Sequence, residues 1–460
     1  MLSQTIKINF IAAIILLCSA CSSALDQLPE DLLLVDNYYQ TESSIETTVT
    51  AAYDILQTLY SYDMILWGEI PSDNTYVQAP NSNGAISPLE DFTWTSTTGF
   101  VKSIWDNSYK GILYANTVLE VASQIAFADE AVKRSRIGEM HLIRGLLYDN
   151  LTTIYGDVPL ALQTGDPSNA FSDVRTPIQE VFTQIESDLN EAIALLPDVN
   201  TAGRPSSHAA RALLARHYMK RNDFAKAETL LQAVIASGQF AIVPLDQLYG
   251  VNNKGNKEEV FSIQYASDLN GQTEGNSYYN NFTRPDNSGG QGAMAMEQAL
   301  YSLYEVADLR RSLINQSGNV YYIDKWTPSP NSNNSDGGDN HFLIRYADVL
   351  LRYAECLNEN GKTSEAAQHL NVIRTRAGLE ATTAVGQEAM RQAIAIERRL
   401  ELVGEGHRWP DLLRTGNAIA TMNAFFQHKG RNITVSDYRL LAPLPQAEVD
   451  ITAMEQNPGY

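Results

Sequence analysis

The 460-residue chain, 44% hydrophobic and 19% charged, is long enough to bury one large core or two ordinary ones. Its 54 acidic residues against 33 basic ones leave a formal charge of -21. No run of Lys or Arg supplies the concentrated basic face that nucleic acid requires, so a solvated acidic surface accounts for the imbalance.

The chain starts with Lys7, an apolar run over 8–17 broken only by Asn9, and then Cys18-Ser19-Ala20-Cys21. The run is short for a membrane span, and small residues precede Cys21, so residues 1–20 read as a signal peptide. Ser19-Ala20-Cys21 resembles the end of a bacterial lipobox, with Cys18 where Leu is usual. Cys21 is the expected lipid anchor and residues 21–40 the tether; simple secretion is the alternative. Processing then leaves Cys356 alone in an apolar helical stretch, a packing thiol and not a nucleophile.

Helical spacing begins with Ile45, Val49, Ala52, Tyr53 and Leu56, and returns at Trp105, Tyr109, Ile112, Leu113 and Leu119. Residues 177–196 show the clearest stripe, from Ile178 and Val181 through Leu196. A Thr176/Gln179 capping box, Pro177 at the first helical position and Pro197 beyond the end are expected to bound it. Tyr155-Gly156-Asp157 reads as a turn whose aspartate caps backbone amides.

Two segments read as helix pairs of the tetratricopeptide kind. One runs from His208 to Tyr218, turns at Asn222-Asp223, and continues from Phe224 to Ile235. The other runs from Ala347 to Glu355, turns at Asn360-Gly361, and continues from Glu365 to Ile373. Between them, residues 250–343 are rich in Asn, Gly, Ser and Tyr and read as long loops, as does the zone 67–98. The expected fold is all-α: an irregular tetratricopeptide-like solenoid with long, loop-rich, ligand-facing insertions. Regions 41–240 and 241–460 form one integrated unit.

Glu397, Glu401 and Glu405 share a helix face as hydrolase carboxylates do. Arg398, Arg399, Arg408 and Arg414 lie close enough to neutralise them, so lowered pKa values and a structural role are expected. The histidines show no zinc spacing, no metal or cofactor is expected, and Asp336-Gly337-Gly338-Asp339 reads as a turn, with calcium binding left open.

Several ordered motifs resemble the SusD/RagB family of outer-membrane nutrient-binding lipoproteins. They are Leu25-Asp26-Gln27-Leu28-Pro29, the Trp105/Tyr109/Asn116 helix, and Arg144 to Tyr148 leading into Tyr155-Gly156-Asp157. In the C-terminal half come Ile344 to Leu351, Arg376-Ala377-Gly378, Glu397 to Arg414, Pro443-Leu444-Pro445 and Gln456 to Tyr460. The resemblance implies four tetratricopeptide-like units, oligosaccharide or in some members peptide as ligand, and a SusC-like TonB-dependent transporter in the outer membrane as partner. Surface orientation is the weaker implication, because Ser22-Ser23-Ala24-Leu25 carries no acidic export signal.

A sugar presents an apolar C–H face edged by hydroxyls, so recognition needs a flat aromatic ring with carboxylates or amides at its rim. Trp67, Asp73, Tyr76, Trp94, Tyr278 and Tyr279 combine these groups in loops and are the expected ligand residues. Trp326 is assigned to packing. The expected function is capture of nutrient glycans without catalysis. A peptide-binding member, a helical glycoside hydrolase with a carboxyl pair free of arginines, and a scaffold without small ligand are the alternatives.

Overall fold

The computed structural model describes residues 38–78, 86–164, 174–201, 203–269, 272–285, 290–328 and 336–460. The expected leader, Cys21 and the 331–335 stretch lie outside them. Long helices follow one another: α1 Glu42–Ser61, the shorter α2 Asp63–Glu69, α3 Gly99–Val121, α4 Glu130–Tyr155, α5 Ile178–Leu195, α6 Ser207–Lys220 and α7 Phe224–Ala236. After an irregular middle come α8 Tyr346–Glu359, α9 Thr363–Arg376, α10 Gln387–Glu401, α11 Arg408–Arg414 and α12 Ala418–His428. Each long helix packs on the next, with α7 carried onto α8 across the insertion, which is the tetratricopeptide-like arrangement. Both expected pairs form, α6 with α7 and α8 with α9. Asn222 at φ +59 and Gly361 at φ +79 supply the left-handed residues of their turns. Among the described residues, no helix is long and apolar enough to cross a membrane.

The start of α5 corrects one local expectation. Pro177 is the N-cap and no side chain of its own segment caps the helix, so the Thr176/Gln179 box does not form. Thr176 is instead held by its backbone N–H to the Val158 carbonyl, which draws the previous turn alongside. From there Asp157 Oδ1 accepts the Ile178 N–H at 2.8 Å. The aspartate of the Tyr155-Gly156-Asp157 turn therefore caps the next helix. Asp157→Ala is expected to cost about 1 kcal/mol in denaturant unfolding and Thr176→Ala far less; equal effects would mean that the side chain of Asp157 is not the cap.

The middle of the chain is less loop-like than its composition implies. Among the described residues, eight short strands form there and in the 67–98 zone: β1 Thr75–Val77, β2 Glu259–Ile263, β3 Ala266–Leu269, β4 Gln272–Glu274, β5 Met294–Met296, β6 Ile314–Ser317, β7 Val320–Ile323 and β8 His341–Arg345. They make one four-stranded sheet in the order β1-β5-β7-β6 and two ribbons, β2-β8 and β3-β4. The missed signal is clearest in the β6–β7 hairpin, where Gly318-Asn319 separates two apolar-containing runs and Gly318 takes φ +61. The Asp336–Asp339 segment, expected as a turn, is instead an irregular stretch held by an isolated antiparallel bridge: Gly337 and Asn276 exchange N–H···O=C bonds at 2.8 and 2.9 Å.

Glu397, Glu401 and Glu405 are buried and ion-paired, but their partners come from elsewhere in the chain. Arg345 Nη1 meets Glu401 Oε1 at 2.6 Å and Glu258 Oε1 at 2.8 Å, and its Nε meets Glu405 Oε2 at 2.7 Å. Lys325 adds Glu405 at 2.6 Å, Arg310 adds Glu397 at 2.7 Å, and Arg376 adds Glu401. Of the expected partners, Arg398 and Arg414 serve Asp348, Asp411 and Glu355, while Arg399 and Arg408 serve Asp73. Sequence neighbours on a helix point to several faces, so proximity in the chain misassigned the pairs. Although buried, Glu401 is held well below the usual range by Arg376 and Arg345, and Glu405 at about 2 by Arg345 and Lys325. Glu397 departs from the expectation, because burial raises it despite Arg310.

The N- and C-terminal halves meet backbone to backbone at Gly68 of α2. A Cβ there would lie 2.2 Å from the Gly406 carbonyl oxygen, so only glycine permits the contact. Glu69 Oε1 accepts the Gly406 N–H at 2.9 Å beside it, and burial pushes this carboxyl up to about 7.

Candidate functional site: the outer face of the four-stranded sheet

The six expected ligand residues do not converge. Trp67 and Trp94 are 1% and 0% exposed, and their rings pack 5.5 Å apart. Phe92 and Phe100 extend the cluster at 5.1 Å from Trp94 and 5.9 Å from Trp67. Trp94 Nε1 donates to the Tyr460 hydroxyl at 2.6 Å, which fastens the C-terminus over this loop. Tyr278 is buried, donates its hydroxyl to the Tyr60 carbonyl, and packs 5.8 Å from Trp326, itself 4.8 Å from Phe282. Tyr279 is also buried, in the short helix Tyr278–Phe282. Rings without an open face offer a sugar nothing to stack on, so the expectation of exposed platforms is corrected for these four. Their loops are polar in composition, yet each folds its large rings inward because burying an aromatic stabilises more than exposing it.

Asp73 is committed as well: it accepts from Arg408 Nε at 2.8 Å and pairs with Arg399 at 3.0 Å. These two guanidiniums overcome burial and hold its carboxyl below the usual range. Asp73 thus joins the loop to α10 and α11.

Tyr76 differs. It is half-buried in the middle of β1, where strand alternation sends neighbouring side chains to opposite faces. Val77 opposite Met294 and Met296 opposite Tyr321 pack on the core side. Tyr76 opposite Ala295 therefore points outward. The same antiparallel register, one residue on, places Tyr322 opposite Ala295 on the side away from the main core, but both are buried, at 4% and 0% exposure, so of the three Tyr76 alone keeps a partly open ring. Two tyrosines thus flank an alanine on three adjacent strands, on the order of 10 Å apart at two strand spacings.

The rim of this face is charged, with two cations paired to three carboxylates. Lys429, just past α12, sits 5.4 Å over the Tyr76 ring and pairs with Glu297 at 2.9 Å. Arg431 pairs with Glu90 at 2.6 Å and also with Asp91. Glu90 Oε2 accepts the Val77 N–H at 2.9 Å, which fixes its carboxylate beside the strand. Burial, then Glu297, Tyr322 and Glu90, push the Tyr76 hydroxyl up, so it stays a neutral donor. Burial likewise raises Glu90. Aromatic faces with fixed donors and acceptors of both signs, and little uncompensated charge, suit a neutral polyhydroxylated ligand. Among the described residues no group of side chains is arranged to hold a metal ion. Of the six expected ligand residues, Tyr76 alone keeps a partly exposed ring; the Val320–Ile323 strand of the same sheet carries no turn-like composition and was missed as a strand.

Comparison with known proteins accounts for both ends of the fold. Residues 306–460 match the model described as the SusD family, and residues 25–219 match the one described as starch-binding associating with outer membrane. A SusD-like protein from Formosa agariphila is 27% identical over 505 aligned positions, covering 99% of each chain. One from Bacteroides ovatus is 25% identical, covering 88% of this chain and 82% of its own. Among solved structures, a laminarin-binding SusD-like protein superposes with a TM-score of 0.81 at 28% identity, over 92% of this chain and 100% of that one. Surface glycan-binding protein A from Bacteroides fluxus shares the fold with a TM-score of 0.80 at 24% identity, over the same shares of the two chains. Matched at both ends and along their length by these proteins, the chain belongs to the SusD family.

Proposed function

We propose that this protein is a lipid-anchored glycan-binding protein of the outer membrane that captures oligosaccharide on the sheet face bearing Tyr76 and passes it, unchanged, to a SusC-like TonB-dependent transporter. The observation that carries the ligand reading is the half-buried, outward-facing ring of Tyr76 among the ion-paired side chains of Lys429, Glu297, Glu90 and Arg431. The printed name of one structural neighbour, a laminarin-binding protein, supports a neutral glucan as the ligand class. Binding without turnover agrees with the arginine-paired state of the one carboxylate cluster that resembles a hydrolase. Anchor and transporter rest on the lipobox at Cys21 and on the ordered family motifs.

One stacked ring contributes about 1 kcal/mol beyond area, offset by ordering costs, so a dissociation constant on the order of millimolar is expected. Such weak binding suits release to a transporter. The test is calorimetry and affinity electrophoresis of the chain lacking residues 1–21 against neutral glucans, charged polysaccharides and peptides. Tyr76→Ala is expected to weaken glucan binding about fivefold while leaving the melting temperature nearly unchanged. Unaltered binding in Tyr76→Ala and Tyr322→Ala alike would remove the face from consideration. Peptide binding alone would favour the peptide-binding alternative, and new reducing ends would overturn the non-catalytic reading.

A further inference from the structure

Away from the sheet, the two halves of the chain enclose a cavity of about 350 Å³. It lies where α2, the end of α4, the start of α5, the end of α6 and the His407–Arg414 region converge. This volume is at the lower end of the range for small-molecule sites. Its walls are chemically divided. Ile65, Trp67, Ile154, Phe182 and Leu441 form an apolar side. Arg216 and Lys220 of α6, with Asp149 of α4, form a charged end.

That end has a surplus cation. Asp149 Oδ1 takes Lys220 Nζ at 2.6 Å and His217 Nδ1 at 2.9 Å, which commits the carboxylate. Arg216 reaches only Asp149 Oδ2, at 3.7 Å, beyond hydrogen-bond distance. Its side chain keeps 21% of its surface and Lys220 keeps 18%. Among the described residues the Arg216 fork has no closer acidic partner. A planar guanidinium with unused donors beside an apolar wall is matched by a carboxylate carrying an apolar body, because the fork binds both oxygens and the wall takes the rest out of water. Water alone would satisfy the donors but leave the surplus charge and the apolar wall unmatched. Most other charged groups around the space already have partners, and Arg352 keeps only a buried Nη1 without one. Glu405 and Asp411 are already paired with Arg345 and Arg398, Arg414 with Glu355, and Arg352 with Asp348.

We propose that this cavity is a second ligand site, separate from the glycan-binding face, which takes a small carboxylate with an apolar body: the carboxylate on Arg216, the body along Phe182, Ile154 and Trp67. The same carboxylate chemistry occurs in a uronic acid, whose ring is polar on both edges and fits the apolar wall poorly.

Calorimetry on the full chain, with 3-phenylpropionate, its amide and glucuronate as probes, distinguishes these. Phenylpropionate is expected to bind saturably at one site, the amide at least tenfold more weakly, and glucuronate weakest of the three. Arg216→Gln should abolish the preference for acid over amide, while glucan binding at the sheet face persists. Arg216→Lys, which keeps the charge but loses the fork, should lie between, and it serves as the readout if Arg216→Gln fails to fold. Equal binding of acid and amide, an acid preference that survives both substitutions, glucuronate binding as tight as phenylpropionate, or no saturable uptake of any probe would each overturn the proposal. Loss of glucan binding in Tyr76→Ala bears only on the sheet face, so the two sites fail independently.

Discussion

Trp94→Ala is expected to lower the folding stability of this protein by about 3–5 kcal/mol, the usual cost of deleting a fully buried large aromatic. The ring has no solvent-exposed surface and packs on Trp67 and Phe92. Its N–H holds the Tyr460 hydroxyl at 2.6 Å, and that hydroxyl in turn donates to the Leu441 carbonyl at 2.8 Å. Arg439 reaches over the indole, 5.7 Å from its centre, and its Nη1 donates to the Trp94 carbonyl at 2.7 Å. Phe92, held at φ +54 in a region unfavourable for a bulky residue, keeps that conformation through contacts with Trp94, Trp409 and Phe426. Removing the indole leaves a cavity, unpairs the C-terminal tyrosine and releases the strained turn together. Trp94→Phe should recover most of the packing but not the hydrogen bond. Thermal and urea unfolding of both variants, read alongside glucan binding, decide the matter. A Trp94→Ala protein that melts like the wild type yet loses glucan would make Trp94 a ligand platform and displace the sheet face as the site.

Arg345→Met is expected to be comparably severe, about 3–5 kcal/mol, because it removes one side of a buried ion-pair network while leaving the other. Arg345 is 1% exposed and touches Glu258, Glu401 and Glu405. Methionine fills similar space but removes the cation shared by all three carboxylates, leaving Glu405 to Lys325 and Glu401 and Glu258 to Arg376 and Arg310 in a low-dielectric interior. The pH dependence identifies the cause. Glu405 is held near 2 and Glu401 well below its usual value, both lower than the 4.5 of an unfolded glutamate. A depressed carboxyl contributes stability that is fully present above about 4.5 and is lost as pH falls through the folded value. The wild type should therefore lose stability below about pH 4.5 and continue losing it toward pH 2. In Arg345→Met the acid limb should flatten, because protonating these carboxylates relieves their burial. An acid limb of unchanged slope would show that Arg345 does not set these pKa values.

Helix content, the two tight helix pairs and the family motifs were legible in the chain, because a 3.6-residue apolar period and left-handed turn residues such as Asn222 and Gly361 act locally. The same local rules read Asp157 as a cap of backbone amides without naming which: the Ile178 amide it caps is brought to it by the Val158–Thr176 bridge. The glutamate network shows the same division. That Glu401 and Glu405 need cations follows from their charge and apolar surroundings, whereas the choice of Arg345, Lys325 and Arg376 follows from how β8, the Lys325 segment and α9 converge on α10. Aromatic residues in polar loops mark a carbohydrate site only if the folded loop leaves a ring open. Composition cannot separate Tyr76, set outward by β-alternation, from Trp94, folded inward beneath Tyr460. The sequence by itself determined the helical solenoid and the kinds of groups a ligand would meet. Tertiary structure alone decided which rings face solvent, because strand register and burial depend on contacts between residues hundreds of positions apart.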